Sequence, residues 1–241
     1  MKIVLLTALG VGGATVMGSI IGFLVKSVPR RFSELLMSFA AGIMLSAAVW
    51  GLIIPSMGDY SAKEIAVSAL GVFLGAGFIG ICERLVPHLH FVADTEGGEE
   101  LDGVLLLVTA MTIHNLPEGI AAGVSLGTGD LSGALSVAGG IALQNIPEGM
   151  AVVPPMLLAG ISRRRTFFIS LMTGFSEVIG TFIGFHGVTV FSSLLPITLA
   201  FAGGAMLYVI ADEMMPRAAK QGKTATYILL LGFCLMLFAT V

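Results

Sequence analysis

Long apolar runs broken by short basic clusters dominate the chain. No charged residue occurs between Ile3 and Val25, and then Lys26, Arg30 and Arg31 interrupt the pattern. The same alternation continues to the end, giving eight apolar runs at approximately 3–25, 33–57, 64–87, 103–127, 131–159, 164–186, 188–215 and 224–241. A helix needs about 20 mostly apolar residues to cross a bilayer. The pattern therefore predicts an all-α integral membrane protein, with eight transmembrane helices in a single transmembrane domain over residues 1–241. Lys2 before the first run looks like the start of a signal peptide. That run is too long, however, and no A-x-A site precedes Lys26. A retained first helix is expected.

Composition sharpens the membrane reading. Hydrophobic residues make up 56% of the chain and charged residues 11%, with a mean hydropathy of +0.99, against roughly 25% charged in soluble domains. The expected surroundings are a lipid bilayer. The net charge of −3 says little about partners, and no nucleic acid is expected among them. Cys82 and Cys234 both fall inside apolar runs and read as small core residues. Small residues four apart, at Gly71/Gly75 and Gly180/Gly184, suit close helix packing in lipid.

Charge placement gives an orientation. Lys26, Arg30, Arg31, Arg84, Arg163, Arg164, Arg165, Arg217, Lys220 and Lys223 fall on one side, leaving only Lys2 and Lys63 on the other. Basic residues in short loops mark the cytoplasm, so both termini are expected outside it, in a cell (plasma or inner) membrane. The longest connection, 88–102, reads HLHFVADTEGGEELD and is expected to be a solvated cytoplasmic loop. His88 and His90 beside its acids offer a place to hold a metal ion transiently.

One polar pattern interrupts this apolar chain twice. HNLPEG begins at His114 in the fourth run, and QNIPEG begins at Gln144 in the fifth. At about 1.5 Å per residue both reach the bilayer midplane, from opposite sides. Antiparallel helices with matching motifs suggest inverted repeats, a recurrent transporter design with its site at the repeat interface. At about 100° per residue, Glu118 projects between His114 and Asn115, and Glu148 between Gln144 and Asn145. The facing helices would then form two pockets sharing both glutamates, one with His114 and Gln144, the other with Asn115 and Asn145. That geometry suits a binuclear metal site with bridging carboxylates. Pro117 and Pro147 each remove a backbone donor within the motif.

Polar residues at this depth often only bond one helix to another. An ionised carboxylate mid-membrane costs roughly 2.5–3.5 kcal/mol, however, and paying that twice in a mirrored pattern points to function. Glu177, in TGFSEVIG, is a third acid near the midplane and is expected to complete the Asn115/Asn145 pocket. Three carboxylates without metal carry −3, which one divalent ion reduces to −1 and two convert to +1. Metal binding is therefore expected to displace protons.

The paired hexapeptide within eight spans resembles the ZIP (Zrt-, Irt-like protein) metal transporters, in particular the bacterial GufA-like branch. SFAAGIMLSAA on the second helix and GGAMLYVIADEMMPR on the seventh add to the resemblance, which covers essentially the whole chain. It implies a 3+2+3 inverted-repeat bundle and a transport site at His114, Asn115, Glu118, Gln144, Asn145, Glu148 and Glu177. It adds Met44 as a soft ligand beside His114, and a cytoplasmic exit route over Glu34, Asp212 and Glu213, with His88 and His90 on the same side. It further implies homodimers and an elevator-type motion, in which helices 1, 4, 5 and 6 slide against helices 2, 3, 7 and 8. Gln144 and Asp212 stand where His is frequent in the family, which lowers nitrogen ligation and widens metal choice.

The expected function is transport of a divalent metal into the cytoplasm. Zinc comes first, iron, manganese and cadmium are candidates, and two ions can be bound at once. Two other classes compete. An intramembrane metal-dependent enzyme would need H-E-x-x-H, whereas here the glutamate follows His114 at i+4 and no second histidine shares the helix. A cation channel would place carboxylates in rings around a symmetric pore. No enzymatic activity is expected.

Overall fold

The computed structural model describes residues 1–24, 30–93, 99–158 and 160–240, and among them every regular element is helical. α1 is Lys2–Leu24. α2 begins as Arg30–Ser46, widens into a π-helical stretch at Ala47–Ile53 and ends with Ile54–Ser56. α3 is Ala62–Ala93, α4 Glu99–Gly127, α5 Leu131–Leu158 and α6 Arg163–Val190. After a 3-10 turn at Ser192–Leu194, α7 runs Leu195–Val209, widens at Ile210–Met214 and ends with Met215–Ala219; α8 is Lys223–Thr240. Among the described residues, six of these rods, α1, α2, α3, α6, α7 and α8, are long and apolar enough to cross a membrane. The chain is a multi-pass membrane protein.

The connection expected at 88–102 is mostly helix. α3 continues to Ala93 and α4 starts at Glu99, which leaves 94–98 between them, outside the described residues. Of His88 and His90 only the backbone is described, and their side chains lie outside the described residues.

Both π-helical stretches have a local cause. A helical proline lacks its N–H and presses on the carbonyl four residues back. Pro55 follows the first stretch and Pro216 the second. One widened turn relieves that crowding, and each stretch closes with a bond spanning five residues, from the Ile54 N–H to the Val49 carbonyl and from the Met215 N–H to the Ile210 carbonyl.

The helices pack in two groups. α4 lies closest against α6, and α1 against α5 and α6; α3 lies closest against α7, and α2 against α8. The groups meet where α2 crosses α5 and α7 crosses α4. A common core of alanine, methionine and branched aliphatic side chains fills the junction, including Ala40, Met44, Ala121, Ile141 and Met206. Without a hydrophobic drive between helices in lipid, packing depends on close backbone approach. Gly119 and Gly180 provide it between α4 and α6, since a Cβ on Gly119 would strike the Glu177 carbonyl and one on Gly180 the Leu116 carbonyl. Gly149 and Gly18 do the same between α5 and α1, against the carbonyls of Thr15 and Ile146.

The cysteines do not sit in the core. Cys234 is exposed and Cys82 is half-buried, on α8 and α3, whose membrane windows are only 17% and 22% buried. An apolar residue facing lipid costs nothing, so apolarity does not distinguish inside from outside in a bilayer.

Candidate metal site

The two hexapeptides face one another across α4 and α5. His114, Asn115, Glu118, Gln144, Asn145, Glu148 and Glu177 are all buried, none more than 6% exposed. Pro117 lies within a continuous α4, so the motif stays on one helical surface and the angles expected from its spacing are retained.

Two hydrogen-bonded groups form there. Gln144 Nε2 donates to Glu118 Oε1 at 2.7 Å. Asn115 Nδ2 donates to Glu177 Oε1 at 2.7 Å, Asn145 Nδ2 donates to Glu177 Oε2, and the Thr15 hydroxyl of α1 also donates to Glu177 Oε1. The Asn145 amide reaches the Val11 carbonyl as well, at 3.3 Å. Glu118 lies within electrostatic reach of both Glu148 and Glu177.

The donors in this cluster are used and many acceptors are not. Asn115 Oδ1, Asn145 Oδ1, Gln144 Oε1 and Glu118 Oε2 are buried with no hydrogen-bond partner. A polar atom left so costs about 1–3 kcal/mol. Hydrogen-bonded helix glue pairs acceptors with donors, whereas these four oxygens call for something positive. Among the described residues, no three His, Cys, Asp or Glu side chains gather closely enough to hold an ion alone. The donor set is carboxylate and amide oxygen, of the hard kind that broadens metal choice.

His114 lies apart from this cluster. Its Nδ1 is 2.9 Å from Glu213 Oε2 and its Nε2 is 3.2 Å from Glu83 Oε1. Tyr208 donates its hydroxyl to Glu83 Oε2 at 3.0 Å, and Arg217 pairs with Glu213. Glu148 shares a small cavity of about 20 Å³ with His114, Glu213, Met37 and Arg217. The expected pocket of His114 with Gln144 and Glu118 is thus divided: Gln144 bonds Glu118, and His114 turns to α3 and α7. Glu213, expected on an exit route, is in direct contact with His114.

The remaining expected residues are spread out. Met44 is fully buried in the core shared by both helix groups. Glu34 is half-buried on the first turns of α2, where its carbonyl accepts from Ser38 at 2.8 Å. Asp212 is exposed. Sequence reasoning missed Thr15, Glu83 and Tyr208. Glu83 is an acid near the end of the third apolar run and was open to the argument that exposed Glu177, whereas a threonine among apolar residues gives no such signal.

A family model described as ZIP zinc transporter matches residues 93–240. Zinc transporter GufA of Myxococcus xanthus is 38% identical over 97% of this chain and 96% of its own length. Zinc transporter ZupT of Chlorobaculum parvum is 34% identical over 88% of this chain and 86% of its own. Zinc transporter ZIPB of Bordetella bronchiseptica is 33% identical over 93% of this chain and 76% of its own. The model covers more than half of the chain and the relatives nearly all of it, so the chain belongs to the ZIP zinc transporter family.

Proposed function

We propose that this chain carries divalent metal, zinc foremost, into the cytoplasm through a binuclear site between α4, α5 and α6. It is a transporter and not an enzyme. The observation that carries the site is the set of four buried acceptor oxygens, all from the two hexapeptides, that lack donors while the amide nitrogens of Asn115, Gln144 and Asn145 are occupied. One ion would take Glu118, Gln144 and Glu148, with His114 and Met44 reaching it on rearrangement. The other would take Asn115, Asn145 and Glu177.

Eight spans in a 3+2+3 inverted repeat fit the packing. If α1, α2 and α3 correspond to α6, α7 and α8, and α4 to α5, each closest pair maps onto another: α4–α6 onto α5–α1, and α3–α7 onto α8–α2. The π-helical stretches of α2 and α7 correspond as well. Across the pair α1–α6, a Cβ on Gly12 would strike the Gly174 carbonyl and one on Gly174 the Gly12 carbonyl. The same offset of 162 residues relates Thr15 to Glu177, so a hydroxyl stands in one half where a carboxylate stands in the other. The two packing groups are those of an elevator-type carrier. The clustering of basic residues at one set of helix ends supports a reading with both termini outside the cytoplasm, in a plasma or inner membrane, and the family likeness supports homodimers.

Radiolabelled zinc uptake into proteoliposomes tests the site. Glu118→Gln and Glu148→Gln keep side-chain volume and remove charge, and each is expected to lower uptake at least roughly ten-fold, as loss of a ligand's charge should. Uptake equal to the natural chain in both overturns the assignment. Competition by manganese, iron and cadmium in the same vesicles ranks the ions, and uptake compared from about pH 5 to 8 reads proton exchange.

A further inference from the structure

A groove of about 400 Å³ runs along the outer face of α3. Its walls are apolar, with Phe73, Gly77, Gly80 and Ile81 from α3 and the ring of Tyr208 from α7, and Arg84 closes one end. Phe73 is 77% exposed and Ile81 60%, so the groove opens toward lipid. We propose that it binds one anionic phospholipid, with an acyl chain in the groove and the headgroup phosphate on Arg84.

Length, charge and shape each support that occupant. Phe73 and Arg84 are eleven residues apart, which at about 1.5 Å per residue is ~16 Å. Half of a hydrocarbon core about 30 Å thick is ~15 Å, so the groove is as long as one leaflet, and Arg84 stands at the end of the apolar span Ala62–Leu85, where a headgroup would lie. Arg84 is exposed and, among the described residues, has no acidic partner. The adjacent Glu83 is turned inward, held by His114 and Tyr208. Basic residues at this depth attract anionic headgroups. A second copy fits the groove less well. A two-fold contact through this face, about an axis along the membrane normal, would hold both Arg84 side chains at one depth, and the groove lining offers no acid to balance them.

Two substitutions separate the parts of the proposal. A Cβ at Gly77 meets nothing within 4 Å, so Gly77→Leu fills the groove without disturbing helix packing. Arg84→Gln removes only the cation. Native mass spectrometry of the delipidated full chain, titrated with phosphatidylglycerol or phosphatidylcholine, reads both. The natural chain is expected to retain phosphatidylglycerol over phosphatidylcholine by about five-fold, the worth of one basic residue at an anionic surface. Arg84→Gln should abolish that preference, and Gly77→Leu should reduce retention of both lipids. Equal retention of the two lipids by the natural chain overturns headgroup recognition. Unchanged retention in Gly77→Leu overturns the groove, and a dimer lost on Gly77→Leu with no change in bound lipid assigns the face to a second copy instead.

Discussion

Gln144 donates its amide to Glu118 across 2.7 Å, while the remaining oxygen of each, Gln144 Oε1 and Glu118 Oε2, has no partner. The bond fixes both side chains and leaves two acceptors free, as a preorganised ligand pair would be before metal arrives. Replacing Gln144 with histidine exchanges an amide oxygen for an imidazole nitrogen. Imidazole suits zinc, and manganese favours oxygen. Gln144→His is expected to reduce competition by manganese against zinc uptake, by roughly ten-fold, about 1.4 kcal/mol. Unchanged competition would remove Gln144 from the proposed ligand set.

Thr15 holds Glu177 from α1. Hydrogen bonds to charged groups contribute about 1.5–3 kcal/mol, so Thr15→Val, which keeps shape and loses the hydroxyl, should weaken zinc uptake by roughly ten-fold or more. Thr15→Ser should restore most of it. Equal loss in both variants would mean that α1 contributes packing there and not the bond.

Close approach of α4 and α6 depends on Gly119, where an added Cβ would strike the Glu177 carbonyl. Backbone cannot yield as a side-chain tip can. Gly119→Ala is expected to destabilise the protein by about 1–3 kcal/mol, read as thermal unfolding in detergent. Gly187→Ala, on α6 with nothing within 4 Å of the new atom, should be neutral or gain about 0.5–1 kcal/mol.

His114 of α4 is gripped by Glu83 of α3 and Glu213 of α7, so one ring ties the two helix groups together. Glu83→Gln and Glu213→Gln should each change the rate of zinc uptake. Because they act on the same side chain, their effects should fail to add by about 0.5–3 kcal/mol in a double-mutant cycle. Strict additivity would show that the two carboxylates work independently.

Much of the buried polar cluster was legible in the chain because intramembrane acids are costly. Glu118 and Glu148 stood out by cost and by repetition, and Glu177 by depth. Glu83 was open to the same reasoning but lies next to Arg84, where it reads as ordinary interfacial charge. The turn of His114 away from Gln144 was not legible. Periodicity places side chains around one helix, whereas their partners depend on which helices cross beside it. The π-helical stretches had a signal in Pro55 and Pro216, though a proline alone does not say whether a helix kinks, ends or widens.

By itself the sequence determined the number and extent of the apolar runs, the polar hexapeptides and the side that carries the basic charge. Each follows from the transfer of residues between water and lipid, which acts on the chain segment by segment. Tertiary structure alone decided which helices pair, that Thr15 meets Glu177, and that His114 bridges to Glu83 and Glu213. Lipid is as apolar as the side chains it touches, so hydropathy does not choose helix partners, and close contact at small residues such as Gly119 and Gly149 does.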